Sequence, residues 1–159
     1  MADMLVRLYD LPDYREELKV LNDKGIQISR AMAPDKYPIL KWVEEKSSIH
    51  GKGEADVCFS KNPISMFVAT REKDILGYAC YNATQMNFFG PTRVLDEEQG
   101  QGIGKVLLKM CLSSMRNEGY AYAIIGGVGP KDFYKKTVNA IDIPLSTPGA
   151  YKDFIGARK

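Results

Sequence analysis

The sequence has little of several features that mark particular classes of protein. Lys and Arg number 22 against 20 Asp and Glu, so no basic excess points to nucleic acid or to an anionic membrane as partner. The single histidine and three cysteines share no metal-ligand spacing, and we expect no bound metal. No apolar run approaches the roughly 20 residues that cross a bilayer, so no membrane span is expected.

The three cysteines, Cys58, Cys80 and Cys111, each sit among apolar neighbours. An odd number of buried thiols is typical of a reducing compartment rather than of a disulfide framework. The N-terminus lacks a basic stretch followed by a long apolar run, which is the pattern of a signal peptide. We therefore expect a cytoplasmic protein, and 159 residues with 45% apolar composition suit one domain over 1–159.

Hydrophobic periodicity predicts seven strands and four helices. Strands are expected at 4–9, 26–32, 64–70, 75–83, 88–95, 120–125 and 139–145, and helices at 14–23, 35–46, 102–118 and 131–138. The polar face of the helix at 102–118 is expected to carry Lys105, Lys109, Ser113 and Arg116. Residues 47–63 suggest a loop or a helix fragment, and the tail 146–159 has one possible short strand near Tyr151. Strands in the middle with flanking helices indicate an α/β or α+β fold with a mixed sheet.

The most informative segment is 94–105, where an apolar stretch enters a glycine-rich turn that opens an amphipathic helix. Such a turn points unpaired backbone N–H groups and the positive end of the helix dipole at one spot, which suits a phosphate. The alternative is a plain strand-to-helix turn. Three glycines within five residues, Gly100, Gly102 and Gly104, favour the ligand, because each costs about 1 kcal/mol inside a helix.

Two nucleotide motifs fit this turn poorly. A Walker A loop requires a leading glycine and a hydroxyl after its lysine, but Gln99 and Val106 hold those places around Lys105. A dinucleotide fingerprint requires a third glycine where Lys105 stands, and its usual place is the first βα unit, whereas this turn lies past the midpoint.

The remaining pattern is Gln99-Gly100-Gln101-Gly102-Ile103-Gly104, which resembles the Gln/Arg-x-x-Gly-x-Gly/Ala signature of the GNAT superfamily of acyl-CoA-dependent N-acyltransferases. The acidic turn before it, the helix and strand after it, and Phe133-Tyr134 occur in the order and spacing of that family. The resemblance covers about residues 26–145, is nearest to a bacterial subgroup, and leaves 1–25 as an N-terminal strand and helix addition.

The resemblance implies a mixed, mostly antiparallel sheet and direct transfer of an acetyl group from acetyl-CoA to a primary amine in a ternary complex. The acceptor implied is a small-molecule amine, whose identity stays open, and a homodimer is possible. The implied acetyl-CoA-binding residues are Val94, Leu95, Gln99, Gly100, Gln101, Gly102, Ile103, Gly104 and Lys105.

The resemblance makes Tyr134 the proton donor to the departing thiolate, whereas the alternative is a tyrosine that merely packs. A backbone N–H at Val94 or Leu95 is the expected oxyanion donor. No general base is evident, because the acidic residues 96–98 are common at a helix start and His50 lies in a polar stretch.

Two other interpretations stay open. A non-catalytic CoA-binding or sensor domain could share the fold, and a nucleotide-binding protein could share the turn. Four aromatic residues could line an acceptor pocket or belong to the core: Trp42, Tyr81, Phe88 and Phe89.

Overall fold

A computed structural model describes residues 2–157. The strands are β1 (Met4–Arg7), β2 (Ile26–Arg30), β3 (Met66–Arg71), β4 (Asp74–Tyr81), β5 (Phe88–Val94), β6 (Tyr122–Ile125) and β7 (Ile141–Asp142). The helices are α1 (Arg15–Asp23), α2 (Lys36–Lys46), α3 (Ile49–Cys58), α4 (Ile103–Asn117) and α5 (Lys131–Val138). None of the helices in this described range is long and apolar enough to cross a membrane.

The strands form one mixed sheet in the order β2-β3-β4-β5-β6-β1-β7. Every neighbouring pair is antiparallel except β5 and β6, which run parallel. The predicted fold class, a mostly antiparallel mixed sheet flanked by helices, is confirmed. The N-terminal strand is not peripheral, because β1 pairs with β6 on one side and β7 on the other.

The helices cover the two faces of the sheet separately. One core cluster joins α1, α4 and α5 to one face, and a second joins α2 and α3 to the other. Strand β4 serves both cores because successive side chains alternate between faces: Ala79 and Tyr81 belong to the first, Tyr78 and Cys80 to the second.

The two parallel strands pair over two positions only, Phe88 with Ile124 and Phe89 with Ile125. Beyond them β5 continues to Val94, still paired with β4, while β6 has ended. We call the opening between the end of β6 and the continuing edge of β5 the sheet gap. It leaves the outer edge of β5 without a strand partner.

Several expectations about the elements need correction. Residues 49–58 form a full helix, α3, begun by the side chain of Ser48, which accepts a hydrogen bond from the N–H of Gly51 at 2.9 Å. The strand predicted at 139–145 shrinks to two residues, and the strand suggested near Tyr151 is absent from the described residues, which make turns there. Lys109, expected on the exposed face of α4, is buried.

Candidate active site

A cavity of about 500 Å³ lies where the end of β5, the start of α4 and α5 meet. It brings together residues from 89 to 134, which are far apart in sequence. Among the predicted binding residues, those that line it are Val94, Gln99, Gly100, Gly102, Ile103, Gly104 and Lys105, together with the predicted catalytic Tyr134.

The glycines of the turn are required for different reasons. Gly100 and Gly102 have φ angles of 86° and 94°, which other residues rarely adopt. Gly104 is helical, and a β-carbon added there would make only ordinary contacts of 3.8 Å with Phe133 and Val94. Packing within the described residues therefore does not explain a glycine at position 104. An open backbone at a helix start fits close approach by a phosphate.

An ion pair and an amide hydrogen bond fix Glu98, the last acidic residue before α4. Arg71, at the end of β3, binds both carboxylate oxygens of Glu98, at 2.7 and 3.0 Å. The side-chain amide of Gln101 donates to Glu98 Oε2 at 2.6 Å. Arg71 and Gln101 hold the pKa of Glu98 below its ordinary value, so this carboxylate stays ionised and paired beside the cavity.

Hydrogen bonding distinguishes the two backbone donors that the sequence suggested. The N–H of Leu95 donates to the carbonyl oxygen of Leu76 at 2.9 Å, so it is engaged with β4. Hydrogen-bonded and non-hydrogen-bonded pairs alternate along an antiparallel ladder, and the next pair is Val94 with Gly77. The N–H and C=O of Val94 therefore point away from β4, towards the sheet gap. The Gln99 side chain donates to that C=O at 3.2 Å.

Gly77 of β4 allows the backbone of β5 to approach closely. A β-carbon at this position would come within 2.7 Å of the Arg93 carbonyl oxygen and 3.2 Å of Val94 Cα. Both are backbone atoms of β5, so they can move only with the strand. Nothing in the local pattern around Gly77 signals this role, because Arg93 and Val94 lie 16 and 17 residues further along the chain.

Tyr134 is 6% exposed and lies at the cavity wall. Its ring packs edge-on against Phe133 and Phe89, with centroid distances of 5.1 and 6.3 Å. Burial raises the pKa of Tyr134 to about 12. No hydrogen bond to its hydroxyl comes from residues 2–157, so this group is held in place by packing and remains able to donate to a ligand.

The other acidic candidates and the histidine lie in less suitable places. Asp96 and Glu97 are exposed, and Asp96 faces Arg93 at 3.3 Å. His50 is on α3, where its ring packs edge-on against Phe154 at 5.5 Å. No obvious general base emerges among these groups.

The four aromatic candidates divide between core and cavity. Trp42 packs edge-on against Tyr78 beneath α2, and Tyr81 is fully buried with its hydroxyl accepting a hydrogen bond from Arg30 at 2.7 Å. Phe89 lines the cavity, whereas the adjacent Phe88 points to the opposite face of the sheet.

The fold is a mixed sheet flanked by helices, and its gap borders a cavity into which the first turn of α4 opens. A sequence model of the acetyltransferase (GNAT) family matches residues 28–136, more than half of the chain. The chain belongs to this family, as its glycine signature indicated. Family and fold together support acyl-CoA-dependent acetyl transfer in general.

Solved structures share the fold at low sequence identity. The glucosamine N-acetyltransferase region of a fungal multi-domain β-N-acetylglucosaminidase has a TM-score of 0.72 at 12% identity, over 89% of this chain and 19% of that one. GCN5-related N-acetyltransferases from Sphaerobacter thermophilus and Kribbella flavida have TM-scores of 0.65 and 0.55, at 17% and 10% identity. Each covers 89% of this chain, which spans 48% and 53% of theirs. No curated protein matches the sequence significantly.

Proposed function

We propose that this protein is an N-acetyltransferase that moves an acetyl group from acetyl-CoA to a primary amine by direct transfer. One observation carries the proposal. A single cavity is lined by the glycine turn at the start of α4, the unpaired edge of β5 and the buried Tyr134. These are an anion site, a row of backbone hydrogen-bonding groups and a proton donor.

The chain's own groups divide the binding task. The first N–H groups of α4 have no partner within the helix, and no acidic residue stands in its first turn. These N–H groups therefore suit the pyrophosphate of acetyl-CoA. Lys105 is exposed at the cavity mouth and adds a positive charge. The edge of β5 offers backbone N–H and C=O groups to the amide-bearing arm of acetyl-CoA. The bound thioester supplies the activated acetyl group.

Tyr134 acts on the departing thiolate as a protonated donor. A phenol with a pKa of about 12 and a thiol with a pKa of about 8.5 differ by roughly 3.5 units, so complete transfer costs about 5 kcal/mol. A hydrogen bond to the thiolate, with the proton finally supplied by the amine, avoids that cost. The N–H of Val94 faces the gap and is the donor we propose for the developing oxyanion.

The burial of the three thiols supports direct transfer rather than an acyl-enzyme. Cys58, Cys80 and Cys111 are fully buried, and none lines the cavity. Burial raises the pKa of Cys80 and Cys111 well above the ordinary value. A hydrogen bond with Cys80 lowers the pKa of Cys58, but this thiol is fully buried and away from the cavity. An acyl-enzyme would need an accessible nucleophile, and none of the three thiols is accessible.

The test is thermal stabilisation followed by turnover. Acetyl-CoA at saturating concentration should raise the melting temperature, while ATP and NAD should leave it unchanged. Release of free thiol is then followed over amines of several classes. Stabilisation with transfer supports the proposal, stabilisation without transfer to any amine indicates a CoA-binding sensor, and no stabilisation contradicts acyl-CoA binding altogether.

A further inference from the structure

We propose that the C-terminal segment, residues 146–156, forms the acceptor wall of the site, and that Tyr151 sets which amines reach the sheet gap. We further infer that this wall favours cationic amines without a neighbouring carboxylate. The inference rests on the proposed acetyl transfer and adds a substrate class and a specificity residue to it.

The sheet gap opens on two faces. On one face lies the cavity with Tyr134 and α4, which the cosubstrate would fill. An amine that attacks a thioester bound there needs a separate approach. The opposite face of the sheet offers it, at the point where β6 ends after Ile125 and β5 continues past Phe89.

Tyr151 lies at that opposite face. Gly126 directly follows β6, and a β-carbon added there would come within 2.5 Å of Tyr151 Cε2 and 3.1 Å of Phe88. The rings of Tyr151 and Phe88 pack with their centroids 5.6 Å apart. Phe88 and Gly126 occupy the face opposite Phe89 and Ile125, because successive residues alternate. The Tyr151 ring therefore covers the far mouth of the gap.

The segment is anchored by one buried carboxylate. Asp3, 6% exposed, accepts hydrogen bonds from the N–H of Gly127 at 2.9 Å and from the N–H of Ala150 at 3.0 Å. Its own N–H donates to the hydroxyl of Ser146 at 2.9 Å. Asp3 thus ties the loop after β6 and the residue before Tyr151 to β1. This connection makes the wall a fixed part of the fold.

Two carboxylates lie near the Tyr151 end of this wall. Asp3 accepts a hydrogen bond from the N–H of Ala150, and Glu54 lies one helical turn after His50, whose ring packs against Phe154. Burial, then the charges of Glu54 and Asp3, raise the pKa of Tyr151 to about 12, although a hydrogen bond with Thr84 acts in the opposite direction. Glu54, on α3, also accepts a hydrogen bond from the hydroxyl of Thr84. A carboxylate beside an aromatic ring attracts an ammonium group and repels a substrate carboxylate. This charge arrangement favours a cationic amine that carries no carboxylate near its amino group.

Matched amine pairs test the class, for example tyramine against tyrosine and putrescine against ornithine. The wild type should prefer the member without a carboxylate by about tenfold in kcat/KM, and Glu54→Gln should reduce that preference. Calorimetric binding of the same amines to the protein–CoA complex gives a readout that does not depend on turnover. Equal binding and turnover of both members would overturn the inferred class.

Tyr151→Ala and Gly126→Ala test the wall by two routes, since the second displaces the ring without removing it. Both should change kcat/KM for the amine by about tenfold, alter how kcat/KM depends on the size of the amine, and leave the acetyl-CoA Kd unchanged. Tyr37→Ala, which removes an exposed tyrosine of α2, is the matched control. Tyr151→Phe keeps the packing and should retain the size dependence.

If the wild type transfers acetyl groups but Tyr151→Ala and Gly126→Ala leave the amine profile unchanged, the proposed wall is overturned and the proposed function stands. A wild type that neither binds acetyl-CoA nor transfers acetyl groups would instead contradict the proposed function. Circular dichroism confirms that each variant is folded before its profile is compared.

Discussion

Lys109 of α4 forms a buried ion pair with Glu17 of α1, although it lies in the helix that carries most of the core. Its side chain is only 8% exposed, and its ammonium also lies 3.4 Å from the carbonyl oxygen of Asp13. The pair ties the N-terminal helix to the helix whose first turn faces the cavity. The stability of α1 and the position of α4 are therefore linked.

Glu17→Gln should lower the free energy of unfolding by about 2 kcal/mol, because it leaves the buried Lys109 ammonium without its counter-charge. Glu17 is itself one-third exposed, so the loss is smaller than for a fully buried pair. Urea denaturation measures it. The control Lys109→Met removes the charge and keeps the apolar stem, and it should cost less than Glu17→Gln. A larger loss for Lys109→Met would contradict this account.

Arg71→Ala should weaken acetyl-CoA binding by about tenfold with little change in kcat at saturation, because Glu98 is left unpaired beside the phosphate site. The pairing holds the pKa of Glu98 below its ordinary value. The stabilisation from the ion pair is therefore complete at any pH above that ordinary pKa. It is lost as pH falls through the lowered pKa. The wild type should therefore keep its affinity from pH 8 to about pH 5. Arg7→Ala, at an exposed arginine of β1, is the control, and an equal loss there would contradict a specific role.

The local sequence pattern predicted those elements whose formation depends on residues close by in the chain. The periodicity of α4 and α5 and the glycine turn are readable within a few residues, and the structure has them at those positions. The contacts that the sequence missed are non-local. Arg71 and Glu98 lie 27 residues apart, and Asp3 and Ala150 lie 147 apart. Lys109 was misjudged because its partner is in another helix, so no feature of its own helix marks it as buried.

Gly77→Ala should destabilise the protein by about 2–3 kcal/mol and weaken acetyl-CoA binding, since its β-carbon displaces the backbone of β5 at Arg93 and Val94. Gly53→Ala is the matched control. Gly53 lies in α3 with nothing within 4 Å of an added β-carbon, so alanine should raise stability by up to about 1 kcal/mol. Melting temperatures and calorimetric Kd values distinguish the two. Equal behaviour of both variants would show that β5 tolerates the shift.

Gly104→Ala separates binding from folding. The added β-carbon has room against Phe133 and Val94, and alanine is the better helix former, so stability should be kept or raised by up to about 1 kcal/mol. If the pyrophosphate lies on the first turn of α4, the same methyl group obstructs its approach. Acetyl-CoA affinity should then fall about tenfold or more, measured by calorimetry. Unchanged affinity in a stable variant would place the phosphates elsewhere.

Tyr134→Phe should lower kcat by about 10- to 100-fold, the value of one hydrogen bond to a developing thiolate, with the acetyl-CoA Kd nearly unchanged. Because the pKa of Tyr134 is about 12, the phenol stays protonated throughout the neutral range. The wild type should show no loss of activity from Tyr134 ionisation below about pH 10. Its kcat should rise with pH as the amine loses its proton.

Since the same amine titrates in both proteins, Tyr134→Phe should lie below the wild type by a constant factor across that range. The control is Phe133→Leu, which alters the adjacent ring and keeps the hydroxyl of Tyr134. A basic limb near pH 9 that is present in the wild type and missing in Tyr134→Phe would show that the phenol titrates within the working range. That result would contradict the raised pKa of Tyr134, because a donor that ionises near pH 9 loses its proton, and the activity that depends on it, within the working range.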